Sequence, residues 1–284
     1  MSDLGKKKYG GLWARFRKNR MALFGGIMIT GLAVVAVFAP WIAPFPYDEQ
    51  DFMVAQEPPS RDHWFGTDEF GRDIFSRIVY ASRISLEVGF IAVSIGMFVG
   101  GMLGSIAGYY GQRLDNMIMR AMDILLAVPS TILAIAIAAT LGPGLFNLML
   151  AVGISTIPRY ARIVRASVLS IRHLEFIEAA KAVGSSDLRI IAKHILPNCL
   201  APVIVQATLG VASAILNTAG LSFIGLGIQP PTPEWGAMLS GARTYIRDYP
   251  YMMISPGLAI MITVLALNFL GDGLRDALDP KLKR

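Results

Sequence analysis

Apolar residues in this chain fall into long blocks rather than the short periodic stripes of a water-soluble fold. Residues 21–43 carry no charged side chain, and further apolar stretches cover 85–108, 118–141, 145–166, 200–221 and 253–271. Each is near the ~20 residues an α-helix needs to cross a hydrocarbon layer of ~30 Å. In lipid every backbone polar group must find a partner within the segment, which blocks of this length achieve only as helices. The pattern therefore predicts an all-α, polytopic membrane protein with about six transmembrane helices, and residues 21–284 form one membrane domain. The fourth block is the least regular. Its apolar part ends near Ile157, and Pro158, Arg159, Arg162 and Arg165 follow.

The segments between the blocks differ in charge. Residues 1–20, 109–120, 158–199 and 272–284 together hold 20 of the 26 Lys and Arg residues. The segment 44–83 instead carries the acids Asp48, Glu49, Asp51, Glu57, Asp62, Asp68, Glu69 and Asp73. Basic residues accumulate on the cytoplasmic side of membrane proteins. This asymmetry places the basic N-terminal segment 1–20, both termini and the loop 170–199 in the cytoplasm. It places the loops 44–83 and 222–252 outside. The net charge of +6 then reflects topology and not nucleic-acid binding. A basic start before an apolar run also resembles a signal peptide. Here the run exceeds the ~7–15 residues of such a region, and Pro40, Trp41 and Pro44 replace a small-residue cleavage site. Residues 21–43 are expected to stay as a helix. Only 16% of residues are charged, against ~25% in soluble domains.

Few residues suggest chemistry. No G-x-x-x-x-G-K-[ST] phosphate loop occurs, and His63, His173 and His194 form no evident set with a nucleophile. The chain is read as no enzyme, with no metal site. The acids of Thr67–Asp73 lack the alternating ligands of a calcium loop and read as a capped turn. Cys199 stands alone. Arg159, Arg162 and Arg165 recur every third residue, as in voltage sensors, but their place at the end of an apolar block suits snorkelling better. Glu87 and Asp123 sit near block ends and make no proton relay. A secondary transporter working alone would show mid-membrane charges or inverted repeats with broken helices, and neither is visible. Gly96, Gly100, Gly104 and Gly108 lie on one helical stripe, where small residues allow another helix to approach closely.

The segment from Pro158 to Asn198 draws two short helices. Leu174–Val183 favours helix, with Glu175 and Glu178 early and Lys181 late, as the helix dipole prefers. Gly184 ends it. Ser185, Ser186 and Asp187 can cap a second helix that Pro197 is expected to end. The pattern Glu178-Ala179-Ala180, then Gly184, then His194-Ile195-Leu196-Pro197-Asn198 resembles the EAA loop of binding-protein-dependent ABC importer permeases. His194 stands where that family usually has an aliphatic residue, as in its dipeptide, oligopeptide and nickel branch. Three further stretches are similar to that branch: Phe65–Asp73, Gln229–Gly236 and Gly271–Pro280.

This resemblance covers nearly the whole chain and is nearest to the C-type dipeptide permeases. It implies a type I ABC importer permease fold in the bacterial inner membrane. It implies half of a translocation pathway for dipeptides or short oligopeptides, shared with a homologous second permease. Glutathione, nickel chelates or haem are the alternative cargoes. An external binding protein, periplasmic or lipid-anchored, would deliver the peptide. Two separate ATPase subunits, holding ATP and magnesium, would grip the EAA loop at Glu178, Ala179, Ala180, Gly184, His194, Leu196, Pro197 and Asn198. Pro230, Pro231 and Pro233 read as a rigid external turn, and Pro231, Glu234 and Trp235 are the candidate docking residues for the binding protein. No substrate-contacting residue follows from the resemblance.

Overall fold

The computed structural model describes residues 16, 17 and 19–278. Most of the basic segment 1–20, and Asp279-Pro280, lie outside the described residues. Regular structure among the described residues is helical, apart from one isolated bridge between Thr67 and Asp73.

Helix α1 (Arg20–Val37) starts where the Asn19 side chain accepts from the Ala22 amide at 3.1 Å. A short turn, α2 (Ala39–Ile42), carries Pro40 near its start, where a missing amide hydrogen costs nothing. An ordered cap of residues 43–73 follows. Helix α3 (Ile74–Tyr110) is capped by Asp73, whose Oδ2 accepts from the Ser76 amide at 2.7 Å. At 1.5 Å per residue its 37 residues run ~55 Å, far more than the hydrocarbon layer. The helix thus begins well inside the segment expected to be loop. Ile74, Ser76, Arg77 and Val79 are buried against the cap, which replaces lipid as the reason to be helical.

The third apolar block is not one straight helix. Helix α4 (Gln112–Ala127) and helix α5 (Ser130–Leu141) meet at 87°. Val128 takes extended angles (φ −94°, ψ 129°) because Pro129 disfavours the helical region in the residue before it. Helix α6 (Leu145–Ile171) runs on through Pro158, beyond the expected end of its apolar block.

The most extensive helix seam joins α3 and α6, and the glycine stripe faces it. A Cβ at Gly100 would stand 2.5 Å from the Ile157 carbonyl oxygen, and one at Gly108 would stand 2.8 Å from Val168 Cβ. Gly96 and Gly104 lie as close to Thr156 and Ala161. On the opposite side, a Cβ at Gly153 would meet Ile95 Cβ at 2.9 Å. Both backbones therefore approach to a distance that no larger residue permits.

Beyond α6 come α7 (Glu175–Ala182) and a one-turn helix, α8 (Asp187–Ile190). A π-helical segment, Ile191–Ile195, then leads without interruption into α9 (Leu196–Phe223). Pro197 does not end a helix, as expected: it is the second residue of α9, directly after the π-helical turn, and the chain is helical on both sides of it. Helix α10 (Trp235–Ala242) lies in the last long loop, and α11 (Tyr251–Leu278) closes the fold. Helices α3, α6, α9 and α11 enclose the main core around Val88, Leu148, Val152, Tyr160, Ile215 and Leu267.

Four helical stretches are long and apolar enough to cross a membrane: Arg20–Val37, Ile74–Tyr110, Asp187–Phe223 and Tyr251–Leu278. The bent pair α4–α5 passes the same test only when its two helices are taken together, and would add a fifth if they form one broken span. Helix α6 has the length, but Arg159, Arg162 and Arg165 dilute its hydropathy. A count of six rests on it.

Candidate functional site

The described residues place two polar structures at opposite ends of the helix bundle: a hairpin at 172–195 and a cap built from 43–73 and 229–242. The hairpin is held by an apolar core of its own. Ile177 and Ala180 of α7 meet Ile190, Ile191 and Ile195, and this set packs on Val164, Val168, Cys199 and Val203 of the spanning helices. Three polar ties fix it. Tyr109 donates to Asp187 Oδ1 at 2.7 Å, Lys181 Nζ lies 5.2 Å over the Tyr109 ring, and Arg172 Nη1 donates to the Gly108 carbonyl at 3.0 Å. Sequence reasoning missed Tyr109 and Arg172, because both partners lie more than sixty residues away in the chain.

Gly184 ends α7 with φ +76°, a left-handed conformation that an L side chain adopts only with strain. The Gly184 amide donates to Lys181 O at 2.9 Å and the Ser185 amide to Ala180 O at 3.1 Å, which closes a Schellman turn. Ser186 is the N-cap residue of α8, but its side chain makes no capping bond. Asp187 was an expected cap as well; it lies inside α8 and accepts from Tyr109 instead. The outer face is open. Glu178, Ala179, Lys181 and Gly184 are exposed, and Val183 and Leu188 are 80% and 78% exposed. His194 and Leu196 are half-buried, and Pro197 and Asn198 are exposed at the foot of α9. Asn198 Nδ2 donates to the His194 carbonyl at 2.7 Å. The residues picked from the sequence thus gather on one hairpin and its foot.

At the other end, charges are buried. Asp68 accepts from the amides of Phe70 and Arg72 and from Arg72 Nε at 2.6 Å. Arg77 Nε lies 3.5 Å from the same carboxylate. Its Nη1 donates to the carbonyls of Tyr47 at 2.8 Å and Pro231 at 3.4 Å. One cation thereby joins the start of α3 to both halves of the cap. Glu234 caps α10, accepting from the Ala237 amide at 2.9 Å, and Trp235 Nε1 donates to the Ile78 carbonyl at 3.2 Å. Glu234 and Trp235 are each 1% exposed. This corrects the expectation that they meet a docking partner: their side chains hold the cap together, and only Pro231 of the three reaches the surface. Burial pushes the Glu234 carboxyl above its ordinary value, partly offset by the amides of Gly236 and Ala237 and by the nearby Ser222 and Ser85 hydroxyls.

Between the two ends, the three evenly spaced arginines of α6 part ways. Arg165 pairs with Asp115 of α4 at 2.5 Å, and Arg162 pairs with Asp123 of α4 at 2.5 Å. Arg159 faces α9. With the Gln206 amide oriented to satisfy both groups, Gln206 Oε1 accepts from Arg159 Nε at 3.2 Å and Nη2 at 3.0 Å.

Comparison with known proteins agrees with this architecture. Residues 100–284 match the family described as binding-protein-dependent transport system inner membrane component. Residues 10–59 match the N-terminal transmembrane domain of oligopeptide transport permease C. The chain is 53% identical to the dipeptide transport system permease protein DppC of Alkalihalophilus pseudofirmus, over 95% of this chain and 88% of that one. It is 47% identical to the di/tripeptide transport system permease protein DppC of Pseudomonas aeruginosa, over 95% and 91%. It is 48% identical to the glutathione transport system permease protein GsiD of Escherichia coli, over 95% and 90%. Among solved structures, an inward-facing MetNI methionine ABC transporter superposes with a TM-score of 0.58 at 21% identity, covering 72% of this chain and 98% of that one.

Proposed function

The chain belongs to the binding-protein-dependent ABC importer permeases, in their dipeptide and oligopeptide branch, and from that premise we propose that it carries short peptides and is driven through the hairpin 172–195. As a permease subunit it is a multi-pass protein of the bacterial inner membrane. The finer reading concerns cargo, partners and coupling. A binding protein on the outside presents a dipeptide or short oligopeptide. A homologous second permease completes the passage. Separate ATPase subunits, with ATP and magnesium, supply the energy. The hairpin and both termini face the cytoplasm, and the cap faces outward, as the basic residues are distributed.

The exposed outer face of the hairpin carries this reading. Val183 and Leu188 flank Gly184 at a tip that is apolar and open, although it is predicted to stand in water and not in lipid. Such a patch marks an interaction site. Its inner face is fixed to α3, α6 and α9, so a force on the tip reaches those helices without being absorbed in a loop. Glu178 and Lys181 add charges that a partner can read.

The test uses the importer reconstituted from its own permeases, ATPases and binding protein. Glu178→Lys and Val183→Asp should leave the chain inserted but lower peptide-stimulated ATP hydrolysis by at least about tenfold, the equivalent of one lost charge-assisted contact. Unaltered stimulation in both variants would remove the coupling role. The cargo is decided by loading the binding protein with dipeptide, longer peptide or glutathione. The glutathione arm is included because a relative of comparable identity carries that name.

A further inference from the structure

Helix α9 has two unlike faces. One is buried among helices: Val203, Gly210, Val211, Ala214, Ile215 and Thr218. The other runs Asn198, Gln206, Ser213 and Asn217, a polar side chain every one to two turns on one side of the helix. At 1.5 Å per residue, Asn198 to Asn217 spans about 29 Å, the whole hydrocarbon layer. Asn198 and Ser213 are exposed, and Gln206 and Asn217 are half-buried. Polar groups facing lipid over that depth are costly, and they mark a face turned to water or to protein.

Two open grooves lie along this same face. Near the hairpin, one of about 640 Å³ is lined by Asn198, Pro202, Gln206, Leu209 and Arg275. Near the cap, the second is lined by Thr131, Ile135, Asn217, Gly220 and Ile224. Among the described residues neither groove has an acidic side chain in its wall. Arg159 stands beside this face, exposed, bonded to Gln206 and with no carboxylate at ion-pair distance among the described residues, in contrast to Arg162 and Arg165. Its position is fixed. The next residue, Tyr160, is 1% exposed, donates to the Gln206 carbonyl at 3.4 Å and fills the space left by Gly210.

We propose that the Asn198–Asn217 face of α9 lines the aqueous passage, and that Arg159, held by Gln206, receives the carboxylate of the travelling peptide. The inference rests on the peptide reading above. A free guanidinium offers a planar fork that matches a carboxylate, and Gln206 leaves its other donors unused. The polar side chains before and after it, spaced along the helix, give the peptide backbone successive partners of modest strength. A second permease pressed on the same face is the competing occupant.

The experiment uses the full reconstituted importer with Cys199→Ala. Ser213→Cys and Asn217→Cys are treated with membrane-impermeant anionic and cationic methanethiosulfonates. We expect both positions to react, with the anionic reagent favoured at Ser213→Cys and that preference lost when Arg159→Gln is added. Arg159→Gln should also cut dipeptide uptake by at least about tenfold, while Arg159→Lys, which keeps the cation but loses the planar fork, should fall between Arg159→Gln and the unaltered importer. Stimulation of ATP hydrolysis by the loaded binding protein should survive in both. Unreactive cysteines mean that the face is covered by lipid or by the second permease, and overturn the passage. Equal rates for the two reagents, or full uptake with Arg159→Gln, overturn the role of Arg159. If no loaded binding protein stimulates hydrolysis even in the unaltered importer, the peptide reading fails on its own, while the reagent rates still report the passage and its preference for anions.

Discussion

The cap and the hairpin are both polar segments at the ends of a helix bundle, yet they treat charge in opposite ways. In the cap, Asp68, Arg72, Arg77 and Glu234 are buried and satisfied by one another and by backbone groups. In the hairpin, the buried residues are aliphatic, and Glu178, Lys181 and Lys193 lie at the surface. Buried, mutually paired charges fix a shape and offer little to a visitor. Exposed charges beside exposed apolar side chains do the reverse. The contrast separates a part that is built to hold from a part that is built to be held.

The largest effect should come from breaking the cap. Asp68→Ala leaves Arg72 and Arg77 buried without their shared carboxylate, and loss of one partner in such a set costs about 3–5 kcal/mol. Thermal unfolding in detergent should show it, together with faster proteolysis within 44–73. A change below about 1 kcal/mol would mean that the cap charges are solvated, and the contrast between the two ends would collapse. Next in size is the seam that joins the ends. Gly100→Leu forces a side chain against the Ile157 carbonyl, and overpacking of this kind costs about 1–3 kcal/mol or more. The matching change at Gly31, which has nothing within 4 Å, should be nearly silent in the same melting experiment.

A smaller effect tests Glu234. Its carboxyl is raised by burial, so the folded state favours the protonated form. Stability from this group is therefore fully present below the unfolded-state value of about 4.5 and is lost as pH rises through the higher folded value. Glu234→Gln keeps the oxygen that accepts from Ala237 but removes the charge. The unaltered protein should melt lower at about pH 8 than at about pH 5, and the difference should be smaller in the variant, which has no carboxyl to titrate. Equal pH dependence in both proteins would assign the buried carboxyl no part in it.

Much of this arrangement was legible in the sequence where its cause is local. All six apolar blocks are helical, the third as a bent pair, because block length and backbone satisfaction act on contiguous residues. The turn at Gly184 followed from glycine and its neighbours alone. Other features depended on distant partners. Arg159, Arg162 and Arg165 have the same spacing and near-identical surroundings in sequence, and only the positions of Asp115, Asp123 and Gln206 distinguish them. Glu234 and Trp235, next to a run of prolines, look like surface residues, and their burial depends on Ser85, Ser222 and the Ile78 carbonyl. Pro197 is an expected helix end that the structure does not show, because the π-helical turn Ile191–Ile195 carries the helix into α9 past it. The bend at Val128 did have a local cause in Pro129, which the apolar run around it masked.

The smallest effect on stability should accompany a large effect on function, and it is the sharpest test of the two ends. Leu188 is 78% exposed and contributes little to the hairpin core, so Leu188→Asp should change melting by no more than about 0.5 kcal/mol. The same charge placed on an apolar patch that docks into a partner must be desolvated there, which costs several kcal/mol without a compensating cation. Co-purification of the ATPase subunits and peptide-stimulated hydrolysis should both fall, while the isolated permease melts unchanged. Ile190→Asp, two residues on and fully buried, should do the opposite and unfold the hairpin itself. If Leu188→Asp destabilises the permease as much as Ile190→Asp does, the outer face is packing and not a docking surface. If it melts normally and assembly is intact, the partner grips the hairpin elsewhere, and the exposed leucine has no role in coupling.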